Sequence, residues 1–510
     1  MPTLLSWFAL SAKGSWRSPL IFAFLRLYLT LPPGLAFLTT AERISVPTPI
    51  RSESCLSFRR IAVLRIHVLA LLIVGLATSV AASAETAAHV KLSGDWAVQV
   101  DVTGSENAPE VSALVAVDLP QLFTVTAERH ASLPIYDPAG PQYLRGARLT
   151  ALISESLTAP DLLDPASVVV RGGPNETDET YVRGRDYEFE NRWGGIGRIA
   201  GGRIAEGSPV FISYQHSLSR IDSIVLTSAG EIEYRAGKPV AEAPKAPQVV
   251  ATERRLANVW IPGRIERLTK NNLFPILETA YPEPAMASLS QAEQRIPRAL
   301  AKLRSGEPLR ILAWGDSVTE GAYLAHPERE HWQQQFVTRL RQRFPQAKIE
   351  LVTEAWGGRT TGSYLAVPPG EPHNYQKTVL DAKPDLVISE FVNDAGLSPE
   401  MVEDRYGKLL ADFQEIGAEW IILTPHYVRP DWMGLDRQND IDEDPRPYVK
   451  GLREFAAKHP VALADASLRY GRLWRQGIPY NSLMVNCINH PGPEGLSIFA
   501  DALMELFPPK

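Results

Sequence analysis

Between Leu309 and Phe507 the chain alternates short apolar runs with longer amphipathic stretches, and this alternation restricts the fold more than any other feature. Leu309–Trp314 is such a run, followed by Lys348–Ala355, Asp385–Val392, Trp420–Leu423 and Val461–Ala464. Between the first two, His331–Phe344 sets Trp332, Phe336, Leu340 and Phe344 four residues apart, the repeat of a helix with one buried face. Further helices are predicted over Pro399–Ile416, Tyr448–Lys458 and Glu494–Leu506. Consecutive strands joined through helices pair in parallel, and the helices then cover both faces of the sheet. The predicted class is therefore α/β, with a parallel sheet wrapped by helices.

In such sheets the ligand site lies outside the carboxyl ends of the strands. The unusual polar residues fall there. Gly315-Asp316-Ser317 ends the first apolar run, Trp356-Gly357-Gly358 follows the second, and Asn393-Asp394 follows the third. His490 stands on the loop before the last helix. Two readings fit Ser317: a nucleophile at a strand-to-loop turn, or, with Asp316, an ordinary helix N-cap. A serine hydroxyl needs a neighbouring base to attack a carbonyl, and His490 can be that base. The resulting oxyanion needs preorganised donors, which a glycine N–H and an asparagine amide supply.

GDSVTEG around Ser317, the paired glycines at Gly357-Gly358, FVND around Asn393 and NHP at His490 resemble the four sequence blocks of the SGNH (GDSL-type) esterase and lipase superfamily, in the same order. The resemblance covers Leu309 to Phe507. It implies a flavodoxin-like three-layer αβα domain that hydrolyses ester bonds without metal or other cofactor. It further implies Ser317 as nucleophile and, through its N–H, as one oxyanion donor. Gly358, with Gly357 as the alternative, and Asn393 would be the other donors, and His490 the general base. Two positions depart from the family pattern. Phe391 stands where the third block usually has glycine, and Cys487 stands where an aspartate usually precedes the histidine by three residues. The expected orienter of His490 is therefore neutral, from Asn486, Cys487 or Asn489, or a remote acid, with Asp465, Asp316 and Glu390 as candidates. His426, after another strand, is a candidate for the cleft wall. Asp436–Asp444 is an acidic loop, read as solvated in preference to a calcium site.

The remaining chain is organised differently. Before Glu85, eight basic residues accompany only two acidic ones, Glu42 and Glu53. Arg59, Arg60 and Arg65 precede the apolar run Val68–Ala77, and Ala82-Ser83-Ala84 follows, the layout of a secretory signal with cleavage after Ala84. Residues 1–84 are thus predicted to be a leader, with a translation start near Phe58–Leu64 and a secreted or periplasmic product. An uncleaved anchor is the alternative. Residues 85–239 carry short alternating runs such as Trp96–Val100 and Val210–Tyr214 between Gly and Pro turns, which predicts a β-rich, sandwich-like accessory domain. Its Tyr181, Tyr187, Phe189, Trp193 and Tyr214 are read as core aromatics in preference to a sugar platform. Residues 240–300 are predicted to be linker and connecting helix, broken at Pro297, and 301–510 the hydrolase domain.

Composition trims the partners. The net charge of −6 gives no support for a nucleic-acid partner, and with Cys55 in the leader the mature chain keeps a single thiol, Cys487. No cysteine metal cluster and no internal disulfide can then form. Apart from the signal segment no membrane partner is expected, and nothing in the sequence specifies an oligomeric state. The functional expectation is an exported serine esterase that deacylates carbohydrate. A lipase or short-chain acyl esterase, and a glycan-binding protein that keeps the fold without catalysis, are the alternatives.

Overall fold

Short runs with alternating apolar residues pair as antiparallel strands in the first part of the chain. In the computed structural model, which describes residues 88–104, 110–283 and 289–509, β1 (Ala88–Leu92), β2 (Ala97–Val102) and β3 (Val111–Ala116) form a three-stranded meander. Next come β4 (Phe123–His130), the small hairpin β5 (Ile153–Ser154) and β6 (Leu157–Thr158), and β7 (Leu163–Arg171). A second small hairpin, β8 (Tyr187–Phe189) and β9 (Ile196–Arg198), precedes β10 (Val210–His216), which lies between β4 and β7. β11 (Arg220–Leu226), β12 (Ile232–Arg235), β13 (Arg254–Ile261) and β14 (Leu273–Pro275) make a third sheet in the order β12-β11-β13-β14.

Val98, Val100 and Val102 on β2 share one buried cluster with Ile224 on β11 and Ala257, Val259 and Ile261 on β13, so these two sheets bury their faces against each other as in a sandwich. β4, β7 and β10 have a separate core that includes Val170, Ile212, Tyr187, Phe189 and Tyr214. The strands continue past Pro239: β11 pairs along β13, and Ser219 bridges Val240, so the proline-rich stretch is a loop of this sheet.

The helical segment that follows breaks at Pro297 into Gln291–Arg295 and Pro297–Ser305. Then β15 (Pro308–Gly315), β16 (Lys348–Ala355), β17 (Leu386–Glu390), β18 (Glu419–Leu423) and β19 (Ala462–Ala464) form a single sheet, every pair parallel, in the order β16-β15-β17-β18-β19. Side chains alternate across it. On β15, Leu309, Ile311 and Ala313 pack beneath the helices 297–305, 332–343 and 493–505. Leu312 and Trp314 pack on the opposite face with the helices Pro399–Glu415 and Pro447–Lys458. The three-layer αβα arrangement therefore follows from the two-residue period of the strands and the helical period of their connections. The chain starts at β15, moves to one side as β16, and returns across to β17. The strand order reverses there, between β15 and β17, where open α/β sheets leave a crevice.

The described residues form one compact unit. The leader, its signal and anchor readings, Cys55 and the start near Phe58–Leu64 lie outside the described residues. Among the described residues, no helix is long and apolar enough to cross a membrane.

Candidate active site

β15 delivers its last residues into this crevice. Gly315 is confined there: a Cβ would overlap Thr319 Oγ1 and the Glu390 carbonyl oxygen, so no larger residue fits. Asp316 caps the one-turn helix Ser317–Glu320, its carboxylate accepting the Val318 N–H at 3.1 Å. The capping role thus falls to Asp316, and the Ser317 hydroxyl is left for another partner. Asp316 Oδ2 also accepts the Asn393 backbone N–H at 2.9 Å and its side-chain Nδ2–H at 2.8 Å. One buried carboxylate thereby fixes the loop after β17 to the loop after β15. Asn393 spends one amide hydrogen on Asp316 and keeps the second for another acceptor.

Behind this junction, Glu390 is fully buried and accepts Thr319 Oγ1 at 3.3 Å, while its Oε1 has no partner. Burial pushes both carboxyls above their ordinary range, and the nearby Asp316 charge adds to the rise at Glu390. Asp316 accepts three N–H groups, whereas Glu390 accepts the Thr319 hydroxyl and the Val392 N–H, so the ionised form is better supported on Asp316 and the proton on Glu390.

The glycine pair sits beyond β16. A Cβ on Gly357 would meet Glu320 Oε2 and stand 3.6 Å from Ser317 Cβ, so this loop runs beside the serine. Gly358 has φ 71°, the left-handed region that favours glycine, and faces open space. Trp356 flanks the pair, its ring stacked on His373 with centroids 4.8 Å apart and capped by the Arg359 guanidinium at 4.9 Å.

His490 comes from the loop before the helix Pro493–Glu505. Its Nε2 lies 3.3 Å from Ser317 Oγ, and its ring stacks on Tyr323 with centroids 4.4 Å apart and planes 9° from parallel. The Tyr323 hydroxyl donates to the Pro491 carbonyl at 3.1 Å, which ties that ring to the same loop. Burial lowers the histidine's affinity for a proton; the charges of Glu155 and Glu320 oppose it without cancelling it. The loop before His490 is built on Asn486, whose Oδ1 accepts the backbone N–H of Ile488, Asn489 and His490 at 2.9, 2.9 and 3.0 Å. His426, fully buried, donates from Nε2 to the Asn489 carbonyl at 2.9 Å. It supports the loop from beneath and does not line the cleft.

The expected orienters are placed elsewhere. Asn486 is committed to backbone, and the Asn489 amide oxygen accepts the Asn486 Nδ2–H at 3.2 Å. Cys487 has φ 58° and its sulfur lies 3.5 Å from Ser154 Oγ; burial pushes its thiol up to about 11. Asp465 caps the helix Ala466–Gly471 and pairs with Arg453, while Asp316 and Glu390 belong to the junction under β15. The group on Nδ1 of His490 is the carboxylate of Glu155, 3.3 Å away and 335 residues earlier in the chain, at the turn of the β5–β6 hairpin. No motif or spacing marks Glu155 in the sequence; only the packing of that hairpin against the histidine loop brings it in.

Other singled-out residues have ordinary roles. Tyr187, Phe189, Trp193 and Tyr214 are buried core, and Tyr214 donates to Glu128 at 2.6 Å. Phe391 is buried edge-on against Trp314, centroids 4.8 Å apart, where it packs the sheet and does not narrow the crevice. In the acidic loop Asp442 pairs with Arg475, and buried Asp444 with Arg446. Among the described residues, no group of three or more His, Cys, Asp or Glu side chains is arranged to hold a metal ion.

Residues 313–497 match the model of the GDSL-like lipase/acylhydrolase family. The chain is similar to several solved structures. A two-domain esterase (CEX) active on acetylated mannans is 19% identical over 42% of this chain and 52% of its own, with TM-score 0.34. The acetylxylan esterase Axe2 from Geobacillus stearothermophilus is 19% identical over 39% of this chain and 94% of its own, with TM-score 0.32. A member of the lipolytic protein G-D-S-L family from Veillonella parvula is 15% identical over 39% and 98%, with TM-score 0.28. The match thus spans about half the length of the two-domain esterase. No curated protein matches the sequence.

Proposed function

We propose that this chain is an exported serine esterase that removes short acyl groups from carbohydrate. The observation that carries the reading is the 3.3 Å approach of His490 Nε2 to Ser317 Oγ at the strand-order reversal. A carboxylate only accepts, so the proton on the imidazole sits on Nδ1 toward Glu155, and Nε2 is free to accept from the serine hydroxyl. Burial keeps the ring neutral near pH 7, as a general base must be.

In the proposed reaction Ser317 Oγ bonds to the ester carbonyl carbon as its proton passes to His490 Nε2. The carbonyl oxygen becomes an oxyanion held by the Ser317 and Gly358 N–H groups and the spare Asn393 amide hydrogen. Collapse of that intermediate breaks the bond to the alcohol, which leaves with the proton from His490. Water then attacks the acyl-serine, giving its proton to His490, and the second collapse releases the acid and restores the serine.

The carbohydrate preference draws on the cover of the site. In the segment after Ser317, residues 321–330, the one large aliphatic side chain, Leu324, is buried, and the exposed part carries His326, Glu328 and Arg329, so it offers no apolar lid for an acyl tail. Export draws on the leader pattern before Glu85.

The test compares the purified chain with Ser317→Ala on nitrophenyl esters of short and long acids and on acetylated polysaccharide. Acetate release that Ser317→Ala abolishes is the expected result. Preference for long acyl chains would make it a lipase, and equal inactivity of both proteins would leave a glycan-binding module. Cell fractionation, with mass spectrometry of the N-terminus, reads the export.

A further inference from the structure

The turn that carries Glu155 is conformationally costly. Ile153 pairs with Thr158 and Ser154 with Leu157, which leaves Glu155 and Ser156 as a two-residue hairpin loop. Glu155 is at φ 51° while Ser156 is not among the positive-φ residues, the pattern of a turn whose first central position is normally glycine. Strain of this kind on a non-glycine residue clusters at active sites and ligand clamps.

The turn is also held from both sides. The Glu155 N–H donates to Glu242 Oε2 at 2.7 Å, and Ser156 Oγ donates to Glu155 Oε2 at 2.8 Å. Ser154 Oγ donates to the Val485 carbonyl at 2.6 Å, clamping the hairpin to the histidine loop. On the other side of that contact Cys487 is likewise left-handed. Two strained segments, one from each part of the chain, meet beside His490, and the carboxylate lies within hydrogen-bond reach of its Nδ1.

We infer that Glu155 is the positioning residue of the catalytic histidine, so that the strand-rich region completes the active site and is not a separate binding module. The inference rests on the Ser317–His490 reading and extends it. It explains how Cys487 can occupy the place where the family usually has aspartate: the acid has moved to another sheet. A carboxylate on Nδ1 fixes the tautomer and stabilises the imidazolium formed during attack. The other groups facing His490 cannot do this. Glu320 acts on the ring only through its charge, Tyr323 stacks on its face, Ser317 is on Nε2, and His426, held neutral by burial, is bonded to the Asn489 carbonyl.

The experiment uses the full chain with Glu155→Gln, Glu155→Asp and Glu155→Gly, each read by ester turnover against pH and by NMR titration of His490 in histidine-labelled protein. The His490 signal is assigned by its loss in His490→Gln. Expected is a fall in plateau kcat/KM of roughly 10²-fold for Glu155→Gln. The acidic limb and the His490 titration should both move to lower pH, because the removed charge favoured the protonated ring. Glu155→Asp should recover part of both. Glu155→Gly should lose activity equally while its unfolding midpoint stays level or rises, because glycine suits the turn. Rates within twofold of wild type, or a rate loss with an unmoved His490 titration, would overturn the inference. If wild type and Ser317→Ala turned over equally slowly, the esterase reading would fall, and the titration would still decide whether Glu155 governs His490.

Discussion

The two rims of the crevice are assembled by different means. On the α/β side, Ser317, Gly358 and Asn393 follow three neighbouring strands, so the order of a parallel sheet gathers them as soon as the sheet forms. On the strand-rich side, Glu155 rides a hairpin of two-residue strands, held by side-chain contacts to a loop more than 300 residues away in sequence. The first arrangement is inherited from topology and is insensitive to any one contact. The second depends on a few hydrogen bonds and a strained residue. The chemistry should therefore be concentrated on the first rim and its tuning on the second.

The largest test of that division is Ser317→Ala or His490→Gln, each expected to lower kcat by at least about 10³-fold with the fold unchanged by circular dichroism. Substantial residual turnover would break the comparison at its base. Asn393→Ala removes the proposed oxyanion donor and its side-chain tie to Asp316, and a loss of about 10²-fold in kcat is expected on nitrophenyl acetate. An effect confined to KM would show that Asn393 holds substrate instead.

The pH profile sharpens the contrast. Burial lowers the histidine's proton affinity, so activity should persist as pH falls below the usual midpoint of about 6.5 and disappear only as the ring finally protonates. A limb above that midpoint would mean that the carboxylates outweigh burial. On the strand-rich rim, Ser154→Ala leaves the Val485 carbonyl without its donor and should cost about 1 kcal/mol in chemical denaturation. The turnover loss should be smaller than that of Asn393→Ala.

The smallest effect is expected at Glu390, beneath the first rim. Its carboxyl is raised in the folded state, so the folded chain binds a proton that the unfolded chain releases. Its contribution to stability is most favourable below the unfolded midpoint of about 4.3 and declines as pH rises. Glu390→Gln should flatten that decline. An unchanged slope of stability against pH would assign the proton to Asp316.

How much of this was legible in sequence follows the same line. Strand and helix positions between Leu309 and Phe507 could be read because buried strands and amphipathic helices leave periodic apolar patterns, and the observed elements fall within a few residues of them. The break at Pro297 was equally visible, since proline cannot donate within a helix. Asn486 misled for a physical reason. It stands four residues before His490, yet three backbone N–H groups of the loop claim its side-chain oxygen first. His426 sits at a strand end, as cleft residues do, but points under the loop.

By itself the sequence determined the parallel sheet, its helices and the strand ends at which Ser317, Gly358 and Asn393 stand, because local periodicity and chain connectivity are enough to set those. Only the tertiary structure decided what faces Nδ1 of His490. That contact joins two sheets with no shared periodicity, and it comes from the docking of a short hairpin whose backbone adopts a conformation its residue type does not favour.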